Sequence, residues 1–328
     1  MKILIRLPNW LGDTVMSTAF VKAVRQLYPQ AKIDVIIKKE LSAIAAFIPT
    51  LGKIYSFSKQ ENKGLNGVYR FGKTLRPEKY DLFFCLPDSL SSAVMGWATG
   101  AKKRVGFGKE GRFFLLSSSY KKPGNIQRAD EYLSLLEQFT GKKITERSVK
   151  LEVKGTGRHD NLVIVNFNSE ASSRRMPVDK GKQLIDTLTN TFKTAKFIVV
   201  GSPKEKEYVD ELLTGAANSN RLENYAGKTS LEGLCSLMAS AKAVLTTDSG
   251  PAHLANAIGV PTIVLFGAGN ELNTAPYNKQ FLTILRAGKL ECEPCVRNTC
   301  KLYGIPKCMQ LIDPLEIINA LSTYLNYA

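Results

Sequence analysis

The hydrophobic pattern of this chain alternates between two periods. Runs such as "KILIR" (2–6), "KIDVIIK" (32–38) and "YDLFFCLP" (80–87) are apolar at consecutive positions, the pattern of strands covered on both faces of a parallel sheet. Between the first two, "TVMSTAFVKAVRQLY" places Val15, Met16, Ala19, Phe20, Ala23, Val24 and Leu27 at helical spacing. The stretch "KKRVGFGKEGRFFLLSSSYKKPGN" (102–125) reads as a basic, aromatic loop region, "ADEYLSLLEQFTG" as a helix ended by Gly141, and 142–160 as a polar connector. A second series then begins. Strand patterns at "NLVIVNFNS", "AKFIVVGSP", "KAVLTTDSG" and "PTIVLFGAG" are interleaved with helical patterns at "VDKGKQLIDTLTNTF", "EKEYVDELLTG", "SLEGLCSLMASA" and "PAHLANAIG".

Two βα series joined near residue 155 predict an α/β protein of two Rossmann-like domains, 1–155 and 156–328, each with a parallel sheet. The final helix is expected to pack back on the first domain. A length of 328 residues fits two cores. Ligands of such sheets bind at the carboxyl ends of the strands, and every chemically marked loop of this chain falls at such an end.

Charge adds a direction. The net charge is +16, and residues 1–160 hold 28 Lys and Arg against 14 Asp and Glu, whereas the remainder hold 17 against 15. The first half therefore carries a net +14 and is suited to an anionic partner. No signature of a nucleic-acid-binding module accompanies that charge, so nucleic acid is not expected as the partner. No apolar run approaches the ~20 residues of a membrane span, and "MKILIRLPNW" lacks the features of a signal peptide. The chain is expected in the cytosol, with reduced cysteines.

Two turns carry candidate chemistry. In "TTDSGPAHLANAIG" a strand runs into Asp248, Ser249 and Gly250, with Pro251 suited to open the next helix and His253 one turn in. The N-terminus of such a helix is a ready site for a pyrophosphate; a plain cap over a buried histidine is the other reading. In "LPNWLGD" the first turn offers Asp13 and Trp10 where a nucleotide site would have a glycine cradle.

These segments, with "AGKTSLEGLCSLMASAKAVLTTD", closely resemble the bacterial ADP-heptose:lipopolysaccharide heptosyltransferases of glycosyltransferase family 9, and the enzymes that add the second heptose most of all. The resemblance runs over nearly the whole chain. It implies the GT-B architecture, two Rossmann-like domains facing each other across a cleft, with the first binding the acceptor and the second the ADP-sugar. It also implies inverting transfer of a heptose from ADP-heptose to an anionic lipopolysaccharide precursor. No metal or other cofactor is expected, and the protein would sit peripherally at the cytoplasmic face of the inner membrane.

By the same resemblance Asp13 is the general base, and a cap on its helix is the alternative. Asp248, Ser249, Gly250 and His253 would surround the phosphates and ribose of the donor. Counting back from Pro177 in "NFNSEASSRRMP" puts Arg174 at a phosphate-binding lysine and Ser169 at a hydroxyl on the phosphates, with Arg175 as an alternative to Arg174. Thr229 falls in the adenine segment and Glu205 near the ribose. Two departures stand out, Met176 for a tryptophan and Gln127 for a histidine. A transferase using another nucleotide sugar or acceptor, or a non-catalytic sugar-nucleotide binder, shares all these motifs.

The cysteines Cys292, Cys295, Cys300 and Cys308 have spacing suited to a structural zinc, with free thiols bracing a loop as the alternative. Finally, Lys102, Lys103, Arg104 and Arg112, among Phe107, Phe113 and Phe114, form the expected acceptor-binding and membrane-facing surface.

Overall fold

Each apolar run becomes a strand of a wholly parallel sheet. The computed structural model describes residues 1–154, 157, 159–216 and 219–325, and the expected boundary at 155–156 lies outside the described residues. The chain divides into two compact units, Met1–Glu152 and Val153–Ala328.

The first unit follows the order β1 (Lys2–Arg6), α1 (Leu11–Met16), α2 (Thr18–Leu27), β2 (Lys32–Lys38), β3 (Ile54–Phe57), α3 (Gly64–Thr74), β4 (Leu82–Cys85), α4 (Leu90–Ala98), β5 (Lys103–Phe107), β6 (Ser118–Tyr120) and α5 (Arg128–Thr140). Its sheet has the order β3-β2-β1-β4-β5-β6. On one face, α3, α4 and the turn Arg112–Leu115 cover a core containing Val68, Phe83, Ala93, Met95 and Leu116. On the other, Phe20 and Phe139 both meet the Phe84 ring edge-on, at 5.0 and 5.6 Å, a geometry worth roughly 0.5–1.5 kcal/mol per pair beyond burial.

The second unit repeats the plan with β7 (Leu162–Asn166), α6 (Val178–Thr191), β8 (Lys196–Val199), α7 (Lys206–Leu213), β9 (Leu222–Asn224), α8 (Leu231–Ala239), β10 (Ala243–Thr247), α9 (Gly250–Ile258), β11 (Thr262–Phe266), α10 (Glu271–Thr274), β12 (Leu282–Arg286), α11 (Lys307–Gln310) and α12 (Pro314–Ser322). Its order, β12-β11-β10-β7-β8-β9, is the same doubly wound arrangement. In each sheet the chain reverses direction across the sheet between two central strands, β1 and β4 or β7 and β10. The crevice at the carboxyl ends of such a pair is where ligands bind.

Two sequence expectations are corrected here. The region 102–125 is not all loop, because β5 and β6 lie within it; β6 is a three-residue polar strand at the sheet edge. The final helix α12 buries Ile317, Ile318 and Leu321 in the second unit's own core. Lys102, Lys103 and Arg104 stand at the amino end of β5, where Lys103 is level with Leu82 and Gly106 with Cys85. That is the end of the sheet opposite the carboxyl-end crevice. Among the described residues no helix is long and apolar enough to cross a membrane.

Candidate active site

Asp13 owes its position to a turn that the sequence pins at several points. After β1, the buried Arg6 guanidinium donates to the carbonyls of Leu7 (2.9 Å) and Ile36 (3.2 Å), and the Thr14 hydroxyl donates to Pro8 O at 3.0 Å. Trp10 is the N-cap residue of α1, extended, with its ring exposed. Asp13 sits in the first turn, and no side chain caps this helix. The capping role for Asp13 is therefore absent, while the positive end of the helix still favours its carboxylate.

Around Asp13 the ends of other strands and one helix bring a charged network. Arg128, the first residue of α5, lies with its Nε 3.6 Å from Asp13 Oδ1 and its Nη1 2.8 and 2.9 Å from the two oxygens of Glu131. Lys122, following β6, holds Asp88 at 2.6 Å and Glu131 at 2.7 Å. Burial raises the pKa of Asp13 above the ordinary carboxylate value; Arg128 opposes the rise, and Glu131 adds to it. A carboxylate made more basic in this way, and still partly open to solvent, is suited to take a proton.

The second crevice is built from asparagines, hydroxyls and one buried acid. Asn166 Nδ2 donates to Thr246 Oγ1 and Ser249 Oγ, both at 3.0 Å. Asn168 Nδ2 reaches Val200 O at 2.8 Å, and the Ser249 hydroxyl donates to Thr247 O at 3.1 Å. This network fixes the turn before α9. Ser249 is the N-cap residue, yet its side chain does not cap the helix. Pro251 has no N–H and Ala252 N donates to Ser249 O at 3.1 Å, which leaves the Gly250 N–H and the helix dipole for a ligand.

Beside that helix end, Arg174 Nη1 stands 3.2 Å from Asp248 Oδ2. Asp248 is 3% exposed, and burial pushes its carboxyl up to about 6 against the pull of Arg174 and then Arg286. A Cβ on Gly269 would lie 2.0 Å from Asp248 Oδ2, so only glycine leaves room for this acid. Burial, with a smaller contribution from Arg174, takes the buried His253 down to about 4. It is thus neutral at pH 7, and its Nδ1 has no protein partner.

The other expected donor residues divide. Ser169 is buried in the same loop, where its carbonyl accepts from Arg175 Nη2 at 3.0 Å. Arg175 stacks over Tyr208 at 5.3 Å, which leaves Arg174 as the arginine at Asp248. Gly250 opens α9 and Pro251 takes its second position, not the first. Thr229 is half-buried directly before Ser230, the cap of α8. Glu205 is engaged in a capping box, accepting from Ser202 N at 2.7 Å, so one of its oxygens is already used. Met176, where the family has tryptophan, packs in the core.

On the acceptor side the structure alters the picture. Arg112 is fully buried, with Nε donating to Phe107 O at 2.8 Å and Nη1 to Ser89 O at 3.3 Å. It pins the loop after β5 and is not on a basic surface. Arg104 is turned onto Leu115 O and Ala101 O, and Lys102 is paired with Asp81 at 2.7 Å. Arg128, Lys122, Glu131 and Asp88 are the charged residues that actually meet at the crevice. Of these the sequence marked only Lys122, within its basic stretch; Arg128 follows Gln127, the N-cap residue of α5, and has no such mark.

The four cysteines line one cavity of about 20 Å³, room for a single water. Among the described residues no group of three or more His, Cys, Asp or Glu side chains is placed to hold a metal. The segment is tied by its backbone to the loops after β7 and β11. Ser173 N donates to Asn298 O at 3.1 Å, and Val296 N to Ala268 O at 2.8 Å.

Residues 68–305 match the profile of glycosyltransferase family 9 (heptosyltransferase). The chain is 26% identical to lipooligosaccharide heptosyltransferase 2 of Campylobacter jejuni, covering 97% of this chain and 96% of that one. It is 30% identical to the enzyme of the same name from Haemophilus influenzae, over 87% and 88% of the two chains. The structure of the Escherichia coli ADP-heptose lipopolysaccharide heptosyltransferase II superposes with a TM-score of 0.82 at 22% identity, covering 99% and 98%, and shares this fold of two parallel six-stranded sheets. With most of its length matched in sequence, and with this fold, the chain is a member of glycosyltransferase family 9, the heptosyltransferases.

Proposed function

We propose that the enzyme transfers a heptose from ADP-heptose to the inner core of a lipopolysaccharide precursor, with inversion at the anomeric carbon. The observation that carries the donor half is the uncapped N-terminus of α9 beside Arg174 and Asp248, at the reversal point of the second sheet. A diphosphate there meets the Gly250 N–H, the helix dipole and a guanidinium fork together. Neutral His253, one turn in, offers a hydrogen bond and no charge.

Asp13 supplies the acceptor half. It takes the proton of an acceptor hydroxyl as that oxygen bonds to the anomeric carbon. The bond from that carbon to the diphosphate breaks, and ADP leaves with the electron pair. Arg174 and the α9 terminus stabilise the charge that develops on the departing phosphate. Lys122 and Arg128 are the cations beside Asp13 that an anionic acceptor would meet, each shared with the neighbouring carboxylates. The acceptor is a phosphorylated lipid of the cytoplasmic leaflet, so the enzyme works peripherally at that surface.

Calorimetry against nucleotide sugars tests the donor assignment. ADP-heptose, or ADP itself, should bind at least tenfold more tightly than UDP- or GDP-sugars. Equal affinities, or a preference for another base, would move the protein to a different donor within the same fold.

A further inference from the structure

We propose that the outer surface of α3, α4 and the turn Arg112–Leu115 is the face with which the protein docks on an anionic bilayer. The inference rests on the acceptor reading above, and it names a surface different from the Lys102–Arg104 patch.

These three elements lie side by side over one core cluster. Gly72 lets α3 approach α4 closely, since a Cβ there would lie 2.5 Å from Met95 O. The helix in the middle, α4, has the sequence LSSAVMGWA and carries no charged residue; Leu90, Ser91 and Val94 are half-buried and Trp97 is exposed. Trp97 on α4 is 51% exposed and lies with its ring 5.6 Å from that of Tyr69 on α3. Leu65 on α3 is 49% exposed, and Phe113 and Phe114 on the adjoining turn are 64% and 68% exposed. Large apolar side chains gathered on one face mark an interaction surface.

Charge selects the partner. Residues 62–77, which include all of α3, contain Lys63, Arg70, Lys73 and Arg76 and no carboxylate, and all four cations are exposed. Lys109, before the aromatic turn, is exposed as well. Aromatic side chains edged by basic ones suit the headgroup level of an anionic membrane, where rings insert and cations meet phosphates. A second copy of this chain seated on the same patch would bring the four cations of residues 62–77 against four more. The position also serves the reaction: α4 starts immediately after Asp88 and its cap Ser89, at the carboxyl end of β4. A lipid held against this face has its headgroup delivered to the crevice of Asp13.

The test is sedimentation of the full chain with vesicles of phosphatidylcholine alone and with about a third phosphatidylglycerol, at low and high salt. The wild type should bind the anionic vesicles only, and less well as salt screens the charges. A Trp97→Ser, Phe113→Ser, Phe114→Ser variant and a Lys63→Gln, Arg70→Gln, Lys73→Gln variant should each lose binding by more than about tenfold, since each cation alone contributes about fivefold. The Lys102→Gln, Lys103→Gln pair should bind as the wild type does. Unaltered melting and ADP affinity in both triple variants would show that the fold and the donor site are intact, so a failure here is separable from a failure of the donor assignment. Absence of wild-type binding to anionic vesicles, or unchanged binding by the aromatic variant, would overturn the proposal. So would a wild-type dimer that the aromatic variant abolishes without any effect on vesicles.

Discussion

Asp13→Asn should lower turnover by roughly two to four orders of magnitude, the usual worth of a general base, and leave ADP affinity unchanged. Asparagine keeps the size and polarity of the side chain, and Asp13 makes no capping bond whose loss could unfold the turn. The effect should therefore fall on kcat with little change in melting temperature. The neighbour Arg128 supplies a second arm. Its cation opposes the rise in the Asp13 pKa, so Arg128→Ala lets that pKa climb further. Because the base works ionised, activity is lost as pH falls through its pKa, and the acid limb of the kcat/KM profile should move to higher pH in this variant. Arg128→Lys should return it most of the way. An unshifted limb would mean that another group takes the proton.

Arg174→Ala should weaken ADP binding about tenfold to a hundredfold, the span expected for one charge-assisted contact. It should reduce kcat further, by about a hundredfold or more, because the charge on the departing phosphate is greater than in bound substrate. The variant also leaves Asp248 buried without its partner. That carboxyl, already pushed up to about 6, then rises further with only Arg286 left to oppose it, and the shift towards the neutral acid reduces the cost of a poorly paired buried charge. Arg174→Lys keeps the charge but not the fork, and should recover a large part of the affinity. Chelators should leave the wild-type rate unaltered. Full ADP affinity in Arg174→Ala would shift the phosphate role to another residue.

The repeated βα architecture was legible because parallel strands covered on both faces carry apolar runs at consecutive positions, as in the VII of "KIDVIIK" and the LVIV of "NLVIVNFNS". The edge strands were not. β6 is Ser-Ser-Tyr and β9 is Leu-Glu-Asn; one open side leaves such segments free to be polar. Asp13 and the turn before α9 were visible because each follows a strand and opens a helix at a sheet's reversal point. Gly269 gave no signal, since its need is steric and arises only once Asp248 is folded against it. Lys122, Glu131 and Arg128 are brought to Asp13 by β6 and α5, over a hundred positions away in the chain, and local spacing cannot report such a meeting. The error over Arg112 has a related cause: composition marks a cation but not the carbonyls waiting for it inside. Phe113 and Phe114 are expected at the surface, against the usual burial of phenylalanine, and both lie open to solvent, whereas Phe107, expected with them, is fully buried.

The most direct test is incubation of the purified enzyme with ADP-heptose and a heptose-deficient lipopolysaccharide precursor, followed by mass and anomeric analysis of the product. The acceptor should gain the mass of one heptose, joined with the anomeric configuration opposite to that of the donor, and one ADP should be released per transfer. An acceptor of unchanged mass, or a product that retains the donor's configuration, would contradict single-displacement heptosyl transfer by this chain.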